Sequence, residues 1–424
     1  MTYDEALSYI HSTIRKGAAP GLGRIRELME RLGNPQRQLS YVHITGTNGK
    51  GSTAAMTASV LRAAGYRVGL YTSPFLWRFN ERMNVDGRDI EDEELAQVTE
   101  LVKPAAQALA DPPTEFELVT AIALCWFARK QCDIVVLEVG MGGKNDATNV
   151  IPAPEVAVLC NIGLDHTAQL GNTLEAITQN KSGILKPGCQ GVLYPNSPDV
   201  EAVVTAVCQE RGIPLRIEDF SQIHVKSRDF SGQILDYKGY SGLHLPLLGS
   251  HQARNCALVL ETLEALRQQG WNIPEEAVYK GIANTVWPGR FELLRREPIF
   301  IVDGGHNPQC LAALAENVKA YLAGRQIIAL TGVMADKDYL EMYKGLVPLV
   351  SQFVTVTPDN PRSLDAESLA DYLRLLGKPA QAAGSVEEGV QKALALAGTD
   401  GTVLAFGSLY MTGPIRQTVK NLMS

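Results

Sequence analysis

Residues 41–64 read YVHITGTNGKGSTAAMTASVLRAA, and this stretch decides how the first half of the chain folds. The apolar, β-branched run around Val42 and Ile44 predicts a strand, and the three glycines that follow predict a turn. Residues 52–64 are rich in helix formers. Glycines let backbone N–H groups face a bound anion, and the positive end of the next helix favours a phosphate at the same place. The stretch therefore predicts a strand, a phosphate-binding turn and a helix.

The turn departs from a strict Walker A loop, because Gly51 separates Lys50 from Ser52. In such a turn, Lys50 would place its charge on the outer phosphates, and Ser52 or Thr53 would offer a hydroxyl to Mg²⁺. A glycine turn that only joins a strand to a helix is the alternative, and the complete GTNGKGST sequence favours phosphate binding. The candidate nucleotide-binding residues of the turn are Thr47, Asn48, Gly49, Lys50, Gly51, Ser52 and Thr53.

The composition of the 424 residues is that of an ordinary globular protein, with 45% hydrophobic and 20% charged side chains. This length allows two or three domains. The formal net charge of −7 argues against binding to nucleic acid or a membrane through the surface as a whole. The seven cysteines are scattered, and neither a signal pattern nor an apolar run of about 18 residues occurs. We therefore expect a cytoplasmic protein with reduced cysteines.

Two polar residues stand at the ends of predicted strands later in the chain. Residues 133–139 form an apolar strand that carries Glu138 near its carboxyl end, and His166 follows the predicted strand 156–160. A carboxylate in an apolar strand is costly unless it is paired or bound to a metal, and ligands of open parallel sheets gather at this edge. Glu138 is therefore a candidate metal ligand, whereas nitrogen ligation of Mg²⁺ is unusual, so chemistry alone does not indicate a metal-binding role for His166. A salt bridge for Glu138 and a structural hydrogen bond for His166 are the alternatives.

Further segments accompany GTNGKGS along the chain: TSPFL and FNER within 72–82, TEFE at 114–117, EVGMGGKNDATN at 138–149, NIGLDH at 161–166, GSHQARN at 249–255, WPGR at 287–290 and DGGHNP at 303–308. In this order they resemble the folylpolyglutamate synthase and dihydrofolate synthase family, relatives of the Mur ligases. The resemblance implies an ATP-dependent C–N ligase. Such an enzyme phosphorylates a carboxylate of its folate or pteroate substrate, and the amine of L-glutamate attacks the resulting acyl phosphate.

The resemblance also implies residues that bind Mg²⁺. Ser73, Glu138 and His166 match metal ligands of the family, and Ser52 joins them as a hydroxyl of the phosphate-binding turn. Lys181 matches a lysine that is carbamylated in this superfamily, and a carbamate there would hold a second Mg²⁺. A solvated helix lysine is the alternative. One or two Mg²⁺ ions are therefore expected.

Later segments carry the remaining nucleotide contacts that the resemblance implies. Asn255 matches a residue near the adenine, Arg290 an arginine that reaches the nucleotide phosphates, and Asp303 a further nucleotide contact. His306 matches a residue that faces the cleft between the domains. Surface polar residues and a Pro-Gly turn with a solvated arginine are the alternatives. The candidate catalytic residues are Lys50, Lys181 and His306.

A third group of segments resembles the substrate pocket of the family. Phe75 and Arg82 belong to a predicted lid or substrate rim beside the phosphate site, for which an ordinary surface loop is the alternative. Thr114 and Glu117 also have the spacing of a helix capping box, and both roles are compatible. Lys144 replaces an arginine of the family, which keeps the charge but loses bidentate geometry. The candidate substrate residues are Phe75, Arg82, Thr114, Phe116, Glu117 and Asp146.

The predicted fold class is α/β with two domains. Residues 1–295 are predicted to form a P-loop-containing, Mur-ligase-like ATPase domain, with a first helix over residues 2–16 and a small antiparallel edge sheet within residues 213–248. Residues 296–424 alternate strands and helices, which predicts a Rossmann-like, doubly wound glutamate-ligase domain. The resemblance places the active site in the cleft between the domains.

The expected ligands are ATP, Mg²⁺, L-glutamate and either a folate or dihydropteroate, and we expect a monomer that binds neither nucleic acid nor membranes. The sequence does not decide between dihydropteroate, reduced folates or both. Three alternatives stay open. A Mur-type ligase of cell-wall precursors shares the loop and the fold, and a non-catalytic P-loop ATP-binding protein would form no amide. A dinucleotide-dependent dehydrogenase is disfavoured, because no G-x-G-x-x-G opens the first helix of either domain.

Overall fold

The structure is a computed structural model that describes residues 1–15 and 21–423. Within these residues the α-helices are α1 Tyr3–Ser12, α2 Gly23–Arg31, α3 Lys50–Ala63, α4 Asp92–Gln107, α5 Glu115–Arg129, α6 Thr167–Leu170, α7 Leu174–Lys181, α8 Pro198–Arg211, α9 Ser250–Gln268, α10 Glu275–Ala283, α11 Pro308–Tyr321, α12 Tyr339–Met342, α13 Ala366–Leu375, α14 Val386–Ala397 and α15 Leu409–Asn421. None of these described helices combines the length and the apolar character that crossing a membrane requires.

The strands of the same described residues are β1 Ser40–Thr45, β2 Val68–Tyr71, β3 Met83–Val85, β4 Arg88–Asp89, β5 Ile134–Glu138, β6 Val156–Leu159, β7 Gln190–Leu193, β8 Leu215–Ile217, β9 Ile223–Asp229, β10 Gly232–Tyr237, β11 Tyr240–Leu245, β12 Glu292–Arg296, β13 Ile299–Val302, β14 Ile327–Thr331, β15 Gln352–Thr355, β16 Ala380–Ala382 and β17 Thr402–Phe406. The chain folds into two compact units. Unit 1 comprises Met1–His224, Leu235–His244 and Arg254–Thr285. Unit 2 comprises Val225–Ile234, Leu245–Ala253 and Val286–Ser424.

Unit 1 is built on an eight-stranded sheet in the order β4-β3-β2-β5-β1-β6-β7-β8. The six strands from β2 to β8 in this order run parallel, and β3 and β4 extend one edge in antiparallel fashion. The central strands β1 and β5 are almost entirely buried, as expected where helices cover both faces of a parallel sheet. Ile44 pairs with Glu138, so the turns that follow β1 and β5 begin side by side.

Unit 2 contains a six-stranded sheet in the order β12-β13-β17-β14-β15-β16. The strands from β13 to β16 in this order are parallel, and β12 is an antiparallel edge strand. Neighbouring residues of one strand point to opposite faces, so Leu404 packs with α11 and α13 while Val403 packs with α14 and α15. The doubly wound architecture predicted for this part of the chain is therefore confirmed. The predicted boundary at residue 295 falls within β12 and stays a prediction.

The small sheet predicted within residues 213–248 is present as β9, β10 and β11, in the order β11-β10-β9. Two residues connect β9 to β10, and two connect β10 to β11. Connections this short join antiparallel neighbours, because parallel strands need a long crossover.

The first helix differs from its prediction over residues 2–16. Thr2 and Glu5 form the expected capping box, and the helix begins at Tyr3. It ends at Ser12, because the hydroxyls of Ser12 and Thr13 donate to the carbonyls of Tyr9 and Ile10 and so compete with the helical pattern. Residue 16 lies outside the described residues.

Candidate functional site

The turn predicted to bind phosphate lies between β1 and α3. Gly49 occupies the N-cap position of α3 with a φ of +89°, a left-handed conformation that favours glycine. A Cβ atom at Gly49 would lie 2.7 Å from Oδ1 of Asn255. A Cβ atom at Gly46 would lie 2.6 Å from Cβ of Cys160. Both positions therefore require glycine, and Asn255, which was predicted to lie near the nucleotide, is in direct reach of the turn.

The loop after β6 holds the first residues of this turn. The backbone N–H of Thr47 donates to the carbonyl of Asn161 at 2.7 Å. The Thr47 hydroxyl lies 3.0 Å from both the carbonyl and the N–H of Gly163. Asn48 forms an isolated β-bridge with Asn161. The loop after the neighbouring strand β6 thus fixes the conformation of the turn.

Two lysine side chains converge on one carbonyl of the turn. Nζ of Lys50 donates to the carbonyl of Gly46 at 3.2 Å, and Nζ of Lys181 donates to the same carbonyl at 2.8 Å. Lys181 is only 3% exposed at the end of α7. Burial, assisted by the positive charge of Lys50, lowers the pKa of Lys181 to about 7. The charge of Lys50 beside a glycine turn is suited to a phosphate, and Lys181 next to it is an amine whose charge burial disfavours.

The residues predicted to bind Mg²⁺ come from three strand ends and the start of α3. Ser52 is buried in the first turn of α3, between Gly51 and Thr53. Glu138 is 5% exposed at the end of β5, and its Oε2 accepts a hydrogen bond from the N–H of Ser73 at 3.1 Å. The structure therefore brings Ser73 and Glu138 together.

His166 has a φ of +51°, and its side chain is about half exposed. Its backbone N–H donates to Oδ1 of Asp165 at 2.9 Å, and its Nε2 lies 4.0 Å from Oδ2 of the same residue. Asp165 is thus a carboxylate beside a predicted ligand that the sequence did not single out. In residues 1–15 and 21–423 no cluster of three His, Cys, Asp or Glu side chains able to hold a metal is found. The predicted ligand set includes two serines and stays a prediction.

Two contacts with aromatic rings involve predicted substrate residues, one between Arg82 and Phe75 and one between Phe116 and Gly140. The guanidinium of Arg82 lies 5.5 Å from the ring centroid of Phe75, which is cation–π geometry. The Phe116 ring packs on Gly140, where a Cβ atom would lie 2.5 Å from Cζ of the ring. Buried Nε of Arg82 has no hydrogen-bond partner within the described parts of the chain.

Thr114 and Glu117 form the predicted capping box of α5. Oε2 of Glu117 accepts from the N–H and the hydroxyl of Thr114, at 2.7 Å and 2.9 Å. The same oxygen accepts from Nε of Arg24 at 2.9 Å. Glu117 therefore joins α5 to α2, and its structural role is established by these contacts while its role toward a substrate stays a prediction.

Asp146 is buried among donors. Its Oδ1 accepts from the N–H of Thr148 at 3.0 Å and from the Thr148 hydroxyl at 2.5 Å, and its Oδ2 accepts from the N–H of Met141 at 2.9 Å. Burial raises the pKa of Asp146, and these hydrogen bonds oppose that rise. The sequence did not single out Thr148 or His43, whose Nε2 lies 2.9 Å from the Thr148 hydroxyl. A histidine inside the apolar strand β1 was the available signal.

Unit 2 gathers three predicted residues around Gly304. Asp303 is buried, and its Oδ2 accepts from the N–H of Phe291 at 2.8 Å. Nδ1 of His306 lies 2.9 Å from the carbonyl of Gly304, so Nδ1 carries the proton and donates. A Cβ atom at Gly304 would lie 2.6 Å from Nη1 of Arg290. The loop after β13 therefore places a carboxylate and an imidazole beside one glycine, and Arg290, which precedes β12, brings a guanidinium to the same glycine.

Comparison with known proteins covers the whole chain. The model of the Mur ligase middle domain matches residues 44–263, and that of the Mur ligase glutamate ligase domain matches residues 289–409. Folylpolyglutamate synthase of Lacticaseibacillus casei is 38% identical, with 99% of each chain covered. Dihydrofolate synthase/folylpolyglutamate synthase of Bacillus subtilis (strain 168) is 35% identical, again with 99% of each chain covered.

A solved structure agrees with these relatives. E. coli FolC in complex with DHPP and ADP has a TM-score of 0.89 and 31% identity to this chain, and covers 100% of this chain and 99% of its own. Similarity over both units favours the predicted family over the dehydrogenase and the cell-wall ligase. The chain belongs to the folylpolyglutamate synthase and dihydrofolate synthase family of Mur ligases, a family of ATP-dependent glutamate ligases.

Proposed function

We propose that this protein is an ADP-forming ligase that adds L-glutamate to a folate, to dihydropteroate or to both, through an acyl-phosphate intermediate. The relatives support both substrates, because one is named folylpolyglutamate synthase and another carries the dihydrofolate synthase name as well. The E. coli relative forms a complex with DHPP and ADP. The observation that carries the proposal is the convergence of Lys50 and Lys181 on the Gly46 carbonyl of the phosphate-binding turn.

Phosphoryl transfer depends mainly on positioning and on charge neutralisation. In our proposal, the N–H groups at the start of α3 hold the phosphates of ATP and Lys50 neutralises the outer ones. Arg290 supplies a second cation to the phosphates, while Asn255 and Asp303 hold the rest of the nucleotide. A carboxylate of the substrate attacks the terminal phosphorus and becomes an acyl phosphate, and ADP leaves.

The second step joins the acyl group to glutamate. The amine of L-glutamate attacks the acyl carbon, the C–O bond to phosphate breaks, and inorganic phosphate and one proton are released as the amide forms. No nucleophilic side chain is needed, so the protein has to orient the reactants and exclude water from the acyl phosphate. We place His306 in this step, with its ring oriented by the bond from Nδ1 to Gly304. Phe75, Arg82, Phe116 and Asp146 would hold the substrate, with Thr114 and Glu117 at the start of α5.

The residues proposed for Mg²⁺ fit this ion. The hydroxyls of Ser52 and Ser73 and the carboxylate of Glu138 are oxygen donors, which Mg²⁺ prefers. The N–H of Ser73 also orients the Glu138 carboxylate. His166 adds a nitrogen donor. When bound, Mg²⁺ neutralises negative charge on the phosphates of ATP.

We also propose that Lys181 is carbamylated. Burial lowers its pKa to about 7, so a large share of the side chain is the neutral amine near neutral pH, and this is the form that reacts with CO₂. The carbamate would convert a cation beside Lys50 into an anion. This change would replace repulsion by attraction and offer oxygen atoms to a second Mg²⁺.

We propose a cytoplasmic monomer that binds neither nucleic acid nor membranes. The net charge of −7 supports the lack of affinity for nucleic acid. Six of the seven cysteines are buried, which is typical of reduced structural thiols.

The experiment that tests the function is ADP release by the purified protein with Mg-ATP and L-glutamate. Tetrahydrofolate and dihydropteroate are offered in parallel, and the products are weighed by mass spectrometry. Turnover with both substrates is expected for a bifunctional synthase, and turnover with tetrahydrofolate alone for a dedicated polyglutamate synthase. Binding of ATP without an amide product from either substrate would overturn the proposal. Omission of L-glutamate is the control for simple ATP hydrolysis.

A further inference from the structure

We infer that Thr148 and His43 are positioning residues for Asp146, and that a line of hydrogen bonds from His43 through Thr148 sets the orientation in which this carboxylate meets the substrate. All three residues lie in unit 1. The inference rests on the proposed function, because only that function makes Asp146 a substrate residue.

The direction of each hydrogen bond follows from the donors present. Both oxygens of Asp146 accept from backbone N–H groups, one of Thr148 and one of Met141. A carboxylate that accepts on both oxygens also accepts the hydroxyl proton of Thr148, whose oxygen lies 2.5 Å from Oδ1. The Thr148 hydroxyl has a single proton. It must therefore receive, rather than donate, the contact from Nε2 of His43 at 2.9 Å.

This assignment fixes the tautomer of His43. Nε2 carries the proton, and Nδ1 is an acceptor that has no hydrogen-bond partner among the described residues. Burial, with a contribution from the charge of Lys186, lowers the pKa of His43 to about 3. The ring is therefore neutral throughout the working pH range, and the line of hydrogen bonds does not switch with pH.

The line begins in the strand that also carries the phosphate-binding turn. His43 and Thr45 stand on β1, and the Thr45 hydroxyl donates to the carbonyl of Gly142 at 2.5 Å. Strand β1 thus holds the loop of residues 139–149 at two points, one through Gly142 and one through Thr148. A rigid strand that positions both the phosphate-binding turn and the Asp146 carboxylate would hold the substrate in a fixed position relative to ATP.

The test is steady-state kinetics on Thr148→Val, which keeps the side-chain shape and removes the hydroxyl. We expect the KM for the folate substrate to rise about tenfold, because a charge-assisted hydrogen bond is lost, while the KM for ATP is unchanged. Thr148→Ser should restore most of the affinity. In an Asp146→Asn background, Thr148→Val should add no further change to that KM, since it acts through Asp146.

Thr262→Val is the matched control. The Thr262 hydroxyl is equally buried and donates only within its own helix, to the carbonyl of Leu258 at 2.8 Å. Both KM values should stay at the wild-type level in this variant. If Thr148→Val does not fold, His43→Leu and His43→Gln make the same comparison, because Gln retains an N–H donor and Leu does not.

The outcomes separate the inference from the function. A wild-type protein that forms no amide from either substrate overturns both. An active protein in which Asp146→Asn raises the folate KM and Thr148→Val, although folded, does not, overturns the inference alone. The inference also fails if Thr148→Val raises this KM equally with and without the Asp146→Asn change. If Asp146→Asn leaves the folate KM at the wild-type value, Asp146 does not bind the substrate. The inference is then wrong, although the proposed activity is unaffected.

Discussion

Two regions of unit 1 each bring together two side chains of the same ionisable type, two lysines in one and two glutamates in the other. At the phosphate-binding turn, Lys50 and Lys181 donate to the carbonyl of Gly46. On the face of α9, Glu261 lies close to Glu218, and both carboxylates are about 4% exposed. The two pairs have opposite signs, and they are compensated in different ways.

The acidic pair is compensated within the protein. Glu261 accepts from the Tyr237 hydroxyl at 2.9 Å and also pairs with Lys238 and Arg216. Glu218 has no hydrogen-bond partner for either carboxylate oxygen in the described part of the chain, and burial, followed by repulsion from Glu261, raises its pKa to about 9. A proton therefore neutralises Glu218.

The basic pair is left for a ligand to compensate. Both lysines donate to backbone carbonyls of the turn, which are neutral acceptors. Unlike the acidic pair, which has cations and a proton beside it, the lysine pair donates to neutral acceptors, and this favours a bound anion as the source of its counter-charge. Four predictions test this difference, from the largest expected effect to the smallest.

Removing a charge from the basic pair should have the largest effect. We expect Lys50→Ala to lower kcat/KM for ATP by about 10²–10³-fold, because the cation stabilises charge on the transferring phosphoryl group in a site sheltered from water. Lys238→Ala removes a lysine from the acidic pair and should leave turnover within about twofold, since its partner Glu261 is not among the residues proposed to bind the nucleotide or the substrate. The measurement is ADP release at saturating L-glutamate and folate substrate. Equal losses in the two variants would mean that the two regions do not differ in function.

The second prediction concerns the chemical state of Lys181. Removal of CO₂ and bicarbonate should lower turnover about tenfold at pH 8, if a carbamate supplies charge to the site. Because the pKa of Lys181 is about 7, the fraction of its side chain that is the reactive neutral amine increases as pH rises toward 7 and exceeds one half above it. Bicarbonate should therefore restore activity faster at pH 8 than at pH 6. Intact mass should show one carbamate that acid treatment removes.

A stability measurement checks the same pKa independently. Without CO₂, the folded protein binds fewer protons at Lys181 than the unfolded chain between pH 7 and 10.5, so the cost of burying the charged amine falls and the free energy of unfolding rises with pH in that window. Lys181→Met should lack this contribution. An unmodified amine in a fully active protein would contradict the proposed carbamate.

Most of the fold follows from local patterns. Neighbouring residues alone determine several features: the apolar runs at β5 and β13, the glycine turn after β1 and the alternation of strands and helices in unit 2. The type and order of these elements could therefore be predicted. Helix ends depend on side-chain competition for carbonyls, which is why α1 stops at Ser12 rather than at residue 16.

The site could be predicted only where residues cluster in a motif. The convergence of Lys50 and Lys181 needs α7 to pack beneath a turn more than a hundred residues earlier, and no local pattern encodes that contact. The line from His43 through Thr148 to Asp146 likewise depends on the pairing of β1 with β5. Long-range register decides such contacts, and a single sequence does not display it.

The third prediction concerns Asp303, whose two carboxylate oxygens both accept hydrogen bonds, unlike those of Glu218 within the described residues. Asp303 accepts from the N–H of Phe291 on one oxygen and from the N–H of Gly305 on the other. Asp303→Asn points an amide NH₂ at one of these N–H groups. We expect a loss of about 1–3 kcal/mol in the free energy of unfolding, because a buried donor is left without an acceptor. Urea denaturation at pH 7 measures it, and an unchanged midpoint would show that the loop after β13 tolerates either group.

The smallest effect is expected at Glu218, where the isosteric change should stabilise. The pKa of Glu218 is about 9 in the folded protein against 4.5 as its ordinary value, so the folded state binds more protons than the unfolded state between these limits. Wild-type stability should therefore fall with rising pH in this window, by up to about 1.4 kcal/mol per pH unit from this group. Glu218→Gln keeps the shape and does not titrate. Its free energy of unfolding should lack this slope between pH 6 and pH 7.

Urea denaturation of both proteins at the two pH values isolates the contribution of Glu218, because every other titrating group is common to the pair. Glu264→Gln, on the same helix as Glu261 but with the side chain about half exposed and paired with Arg267, should keep the wild-type slope. Identical slopes in wild type and Glu218→Gln would mean that Glu218 is ionised in the folded protein. The acidic pair would then consist of two ionised carboxylates in a region without a proposed ligand, and the distinction between the two regions would fail.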